Sequence, residues 1–189
     1  MLHLASRSPR RAELLTRLGL QFGILDLAIP EQQDATESAA DYVRRVAREK
    51  AGAGLLQVVA VPDAVVLGAD TEVVLDGVVF GKPADAVEAA AMLRRLSGRS
   101  HQVITAVSLL SAAREAQAVV VSEVTVEALS DVDIARYLDT GEWQGKAGGY
   151  AIQGCFEAHV LRLDGSYSGV MGLPLQQTAQ VLRQFGLLP

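Results

Sequence analysis

Cysteine is nearly absent from this sequence. A single residue, Cys155, stands among 189. One cysteine cannot close an intrachain disulfide, which excludes a disulfide-stapled secreted scaffold and fits a reducing compartment, the cytoplasm by default. Histidine is scarce as well: His3, His101 and His159 are scattered, with no paired spacing for a metal and no Ser/His/Asp arrangement, which excludes a histidine-ligated zinc enzyme. Basic charge is in deficit, with 17 Lys and Arg against 22 Asp and Glu and a net charge of −5. A nucleic-acid-binding surface needs clustered cations, so that class is excluded and any phosphate-binding site has to be local. Long apolar runs are missing too. The most apolar stretch, Leu55 to Ala69, is broken by Gln57, Pro62 and Asp63, and the first eleven residues contain no apolar segment, so neither a membrane span nor a signal peptide is expected.

What is present is an apolar fraction of 50% with 21% charged residues, enough to bury a sizeable core in one domain spanning 1–189. Short β-like runs alternate with helical patterns, the signature of a layered α/β domain. Leu2 to Ala5 reads as a strand, Pro9 to Leu18 as a helix stopped by Gly19, and Gln21 to Leu27 as a second strand. Ser38 to about Leu56 is the longest helix, and its apolar stripe of Val43, Val46, Ala47 and Gly54 also carries Lys50. Val65 to Ala69 is a continuous apolar run of the kind buried in a sheet, and Glu72 to Phe80 reads as a hairpin turning at Asp76-Gly77. Asp85 to Leu96 is an amphipathic helix; His101 to Ser111 and Gln117 to Val126 are long strands; Asp131 to Asp139 is a short helix behind a Ser130 cap. Glu157 to Leu163 and Tyr167 to Val170 flank an Asp164-Gly165 turn, and Pro174 to Phe185 closes the chain as a helix.

Several residues stand out against this frame. Ser6-Arg7-Ser8-Pro9-Arg10-Arg11 lies between a strand and a helix, with Ser8 suited to the N-cap and Pro9 to the first helical position. Arg10 and Arg11 then occupy the first turn, where the helix dipole disfavours cations by roughly 0.3–1 kcal/mol each; an anionic ligand would compensate, and taken alone the pair is as readily solvated or paired with Glu13 and its neighbours. Asp70, in Gly68-Ala69-Asp70-Thr71, follows a buried strand, where α/β proteins place metal ligands and bases. Lys50 on its helix stripe, Lys82 in Gly81-Lys82-Pro83 and Glu31 in Pro30-Glu31-Gln32 are each ordinary alone: a snorkelling lysine, a solvated loop lysine and a surface acid. Gln153 lies in a segment flanked by Gly148, Gly149 and Gly154, where its amide can read a base edge or support a tight loop.

Taken together, these stretches resemble the Maf family of nucleoside triphosphate pyrophosphatases over nearly the whole chain. The ordered set is Leu4 to Arg11 with Glu13-Leu14-Leu15, Ala47 to Ala51, Gly68 to Thr71, Gly81-Lys82-Pro83, Leu96-Ser97-Gly98 with His101, Thr140-Gly141-Glu142, Lys146-Ala147-Gly148, Ile152-Gln153-Gly154 and Gly172 to Leu175. The resemblance implies a mixed α/β fold, a twisted sheet in two lobes around a nucleotide cleft, often in a homodimer. It also implies cleavage of a nucleoside triphosphate to monophosphate and pyrophosphate with a divalent cation of the Mg²⁺ or Mn²⁺ type. Asp70 matches the family's proton acceptor and Glu31 an acid associated with catalysis or metal, which makes this pair the expected metal ligands. Ser6, Arg11, Lys50 and Lys82 match the polar and basic residues around the triphosphate. Arg10, Thr71 and Gln153 match three positions at which the family's branches differ, and all three side with the branch acting on dTTP and UTP. Trp143 and Gly145 depart from the Pro and Asp common there, which bears on the strictness of base selection. A second reading stays open, a nucleotide-binding regulator of cell division without turnover; a third, a pyrophosphatase of the inosine triphosphate type, is disfavoured because the base-reading positions match the pyrimidine branch.

Overall fold

The structure, a computed structural model, describes residues 1–189. A seven-stranded mixed sheet runs through the molecule in the order β2-β1-β3-β5-β6-β7, with β4 paired to β3. The strands are β1 (Leu2–Ala5), β2 (Gly23–Leu25), β3 (Val65–Leu75), β4 (Val78–Phe80), β5 (Ser100–Leu110), β6 (Glu115–Val126) and β7 (Val160–Asp164). The helices are α1 (Pro9–Thr16), α2 (Ala39–Gln57), α3 (Ala86–Leu96), α4 (Asp131–Asp139), α5 (Tyr167–Val170) and α6 (Leu175–Gln184). β1 runs parallel to β2 and β3; the remaining pairings are antiparallel.

The apolar runs of β3 and β5 are buried because the sheet is covered on both faces. On one face Val74, Ile104 and Ala106 pack against Tyr42, Val43, Val46 and Ala47 of α2. On the other, Leu67, Ala69, Val73, Val103 and Val107 join Leu14 and Leu15 of α1, Leu93 and Leu96 of α3, Ile134 and Tyr137 of α4, and Val181 and Leu182 of α6. Strand alternation sorts β3 accordingly: Gly68, Asp70, Glu72 and Val74 share the α2 face, while Ala69, Thr71 and Val73 face the larger core.

The expected helices form with small shifts at their ends. Their caps explain the starts: Ser8, Ser38, Asp85 and Ser130 each accept a hydrogen bond from a backbone N–H three residues on. Four segments differ from the sequence reading. The run at Val65 and the first arm of the hairpin fuse into the single eleven-residue β3, because β5 pairs with it from Val66 to Val74 without a break. The second strand contracts to Gly23–Leu25, the stretch in register with β1. Tyr167–Val170 is one helical turn started by Ser166, whose hydroxyl accepts from Gly169 N, and residues 155–159 form a 3₁₀ helix ahead of β7.

Two pairings end short on the same edge of β3 and open a notch in the sheet. β1 covers residues 65–68 of that edge and β4 covers 73–75, while β5 occupies the opposite edge. Residues 69–72 have no strand beside them there, and this gap carries Asp70 and Thr71.

Candidate active site

Asp70 is buried at 3% exposure on the α2 face of the notch. Its Oδ1 accepts a hydrogen bond from Lys50 Nζ at 2.7 Å. The same ammonium lies 2.7 Å from Glu31 Oε1, and Glu31 Oε2 accepts from Lys82 Nζ at 2.8 Å. Lys82, Glu31, Lys50 and Asp70 therefore form a chain of alternating charge running from solvent into the sheet. Burial alone would push the Glu31 carboxyl up, but hydrogen bonds from Lys50 and Lys82 outweigh it and hold the group down at about 2. The stripe that placed Lys50 among apolar residues was thus correctly aligned, and the lysine does not snorkel: it is 9% exposed and paired.

Across the notch, Arg11 threads between neutral acceptors. Its Nε donates to the Gly172 carbonyl at 2.8 Å, Nη1 to Ser6 Oγ at 3.4 Å and Nη2 to Thr71 Oγ1 at 3.2 Å. Thr105 donates to Thr71 Oγ1 at 3.0 Å or to the Gly169 carbonyl at 2.8 Å, backing the threonine from β5. Burial lowers the Arg11 guanidinium below its ordinary value, and Asp70, Glu31 and Glu72 pull it back up. Arg10, beside it, is lowered by burial and then by Arg11, and has no carboxylate in contact. Two guanidinium groups at a helix N-terminus with no carboxylate partner fit the expected need for an anion.

The third wall is the segment around Gln153. Gln153 lines the cleft with its carboxamide free of intramolecular hydrogen bonds. Gly154 lies close against the Glu142 carboxylate, so a Cβ there would push that flexible side chain aside. Of the two departures from the family pattern, Gly145 lines the cleft and Trp143 packs against the core, its indole donating to the Leu138 carbonyl at 3.1 Å. The cleft has a volume of about 430 Å³ and is bordered by Ser6, Arg10, Arg11, Glu31, Lys50, Asp70, Thr71, Lys82 and Gln153 together. All nine residues singled out in the sequence meet in one place.

Two carboxylates of the cleft could serve a divalent cation. Asp70 Oδ2 is buried and has no hydrogen-bond partner, and carboxylate oxygens suit a hard ion. Glu31 is joined to Asp70 through Lys50, which contacts both carboxylates. No set of three acidic, histidine or cysteine side chains already converges as a cage. Asp70 and Glu31 fit a cation shared with an incoming polyanion better than one held by protein alone.

Sequence reasoning missed three participants. Glu72, read as the start of a hairpin, is 4% exposed beside Asp70, with Oε2 unpartnered; burial and then the charge of Asp70 push its carboxyl up to about 8. The signal was present in Asp70-Thr71-Glu72, because residues two apart on a strand share a face. Tyr137 and Tyr150 lie under the Gln153 segment, and nothing in their local spacing marks them as anything but core.

This geometry defines a class: an α/β protein whose notched sheet combines a phosphate-type anion cradle with a buried carboxylate. The chain belongs to the Maf-like protein family, matched over residues 1–185. It is 63% identical to the nucleoside triphosphate pyrophosphatase of Xylella fastidiosa (strain 9a5c) over 186 residues, covering 98% of each chain. It is 61% identical to the dTTP/UTP pyrophosphatase of Xanthomonas euvesicatoria pv. vesicatoria (strain 85-10), covering 98% of this chain and 99% of that one. Among solved structures, a nucleoside-triphosphatase/dITP/XTP pyrophosphatase from Mycobacterium abscessus aligns over 97% of this chain and 93% of that chain at 15% identity and a TM-score of 0.46. No helix is long and apolar enough to cross a membrane.

Proposed function

We propose that this protein hydrolyses dTTP and UTP to the nucleoside monophosphate and pyrophosphate. The observation that carries the reading is the charge chain ending at Asp70, placed across one cleft from Arg10 and Arg11. Relatives at 60% identity and above that bear the names nucleoside triphosphate pyrophosphatase and dTTP/UTP pyrophosphatase support it.

Water attacks the α-phosphorus, the bond from that phosphorus to the bridging oxygen breaks, and pyrophosphate leaves. Water is a poor nucleophile at neutral pH, so its proton has to be taken as the new bond forms. Asp70 Oδ1 is engaged by Lys50, which leaves Oδ2 as the oxygen that accepts the proton. Arg10, Arg11 and Lys82 offset charge on the triphosphate, and Ser6 and Thr71 hold Arg11 in position for it. Glu31 and Asp70 would hold a divalent cation of the Mg²⁺ or Mn²⁺ type, which supplies charge neutralisation when bound. Without it, two carboxylates would face a polyanion with only the arginines and lysines of the cleft to compensate.

Base choice falls to Gln153. Uracil and thymine present a carbonyl acceptor beside an N3–H donor, and a carboxamide offers the complementary donor and acceptor. Cytosine reverses the pattern, so an amide held in one orientation discriminates between them. A panel of nucleoside triphosphates with pyrophosphate detection tests the reading: turnover of dTTP and UTP well above CTP, ATP and GTP is expected. Release of orthophosphate alone, or equal turnover of all bases, would overturn it.

A further inference from the structure

We infer that Tyr137 is a specificity-determining positioning residue, whose buried hydroxyl fixes the turn that presents Gln153 to the base. The inference rests on the base-reading role of Gln153 given above and concerns how that amide is held.

Gln153 sits third in a turn. The Gly154 N–H donates to the Ala151 carbonyl at 3.1 Å, closing residues 151–154. The first residue of that turn is tied down from outside it: Ala151 N–H donates to the Tyr137 hydroxyl at 3.0 Å, a buried bond between α4 and the loop. The far side is tied by Glu142, whose Oε2 accepts from Cys155 N at 2.9 Å.

Below the turn, aromatic rings close its base. Tyr150 and Phe156 stand three residues before and three after Gln153, and their rings lie 4.6 Å apart. Tyr137 packs edge-on against Phe156 at 5.0 Å. On the other side the Tyr150 hydroxyl meets His101 Nε2 of β5 at 2.7 Å. The segment is thus held between α4 and β5, with Gln153 at its middle.

Tyr137 does not border the cleft and is 4% exposed, so it acts through the backbone of Ala151 and not on substrate. The backbone of this turn sets where the Gln153 carboxamide meets the base edge, and a turn that drifts spoils the match of donor and acceptor on which the choice of uracil over cytosine depends. Removing the hydroxyl leaves the rings and the stacking in place and releases the first residue of the turn.

The test is Tyr137→Phe, measured beside Gln153→Glu and the double variant. Expected for Tyr137→Phe is a five- to tenfold fall in the ratio of kcat/KM for dTTP over CTP, about the worth of one buried hydrogen bond. The kcat for dTTP should stay within about twofold, and hydrogen exchange of the Ala151 amide should quicken. In the Gln153→Glu background the same substitution should leave the ratio where it is, since the two act through one group. An unchanged ratio in Tyr137→Phe while Gln153→Glu moves it overturns the proposal and spares the base-reading role. A ratio indifferent to Gln153→Glu overturns that role and the proposal with it. An equal loss for every triphosphate marks Tyr137 as structural support only. Should Tyr137→Phe not fold, Glu142→Ala releases the other end of the same turn; a lowered ratio supports anchoring of the turn and an unchanged one rejects it.

Discussion

Lys50 and Asp70, twenty positions apart, meet at 2.7 Å because Gly68 lets α2 descend onto β3. A Cβ at Gly68 would collide with the Ala47 carbonyl and the Ala51 N–H, both backbone atoms of the helix on either side of Lys50. Backbone cannot rotate aside as a side chain can, so the helix itself would have to lift. Gly68→Ala should therefore cost about 1–3 kcal/mol of stability and, by parting Lys50 from Asp70, lower turnover more than tenfold. Thermal unfolding and pyrophosphate release read the two effects separately. A variant as stable as the parent would show that α2 does not depend on this close approach.

Asp70→Asn keeps the shape of the side chain and its contact with Lys50 but removes the oxygen able to take a proton. Turnover should fall by roughly 10²- to 10⁴-fold, the usual worth of a general base. Binding of a non-hydrolysable dTTP analogue should persist. Activity within tenfold of the parent, in protein shown to be folded by circular dichroism, would remove Asp70 from that role.

Much of this site is legible in the sequence. The strand-loop-helix grammar located Arg10 and Arg11 at a helix start, and the helical period put Lys50 on the inward stripe of α2; Asp70 was read as following a buried strand, whereas it lies within β3. What periodicity could not supply was which elements become neighbours. Glu31 and Lys82 lie fifty-one positions apart, in loops without any pattern, and meet only because β4 folds back on β3 and leaves the notch open. The same holds for Glu72. Its alternation with Asp70 was visible, but reading residues 72–80 as a separate hairpin took it out of the strand that buries it. Tyr137 was hidden for another reason: a buried tyrosine in an amphipathic helix looks like core until its hydroxyl is seen to hold a backbone N–H two residues from Gln153.

Activity is expected to require a divalent cation. Asp70 Oδ2 and Glu72 Oε2 are buried without partners, and Glu31 is already satisfied by two lysines. A triphosphate entering the cleft adds further negative charge beside these groups. EDTA should abolish turnover, and Mg²⁺ or Mn²⁺ should restore it. Full turnover in metal-stripped buffer would show that Arg10, Arg11, Lys50 and Lys82 suffice on their own.

His101 offers a prediction on stability. The ring is 3% exposed, Nε2 bonds the Tyr150 hydroxyl, and Nδ1 has no partner. Burial pushes its pKa down to about 4, so the folded protein holds the ring neutral where the unfolded chain, near 6.5, would already bind a proton. The unfolded state thus takes up more protons between these values, and stability falls as pH is lowered through them. The contribution is fully present above about 6.5 and is lost on the way down to about 4. Glu72 works the other way, since its raised pKa favours the folded state as pH drops. The total slope therefore mixes two opposing groups, and the His101 part has to be read as a difference between proteins. His101→Gln keeps a neutral group near Tyr150 and leaves Glu72 as it is. Between about pH 7.5 and about pH 4.5, denaturant unfolding should show the parent losing roughly 2 kcal/mol or more relative to His101→Gln, an order-of-magnitude figure for a shift of this size. A difference that stays constant with pH would mean that His101 titrates alike in the folded and unfolded chains, and that burial beneath the Gln153 turn does not hold it neutral.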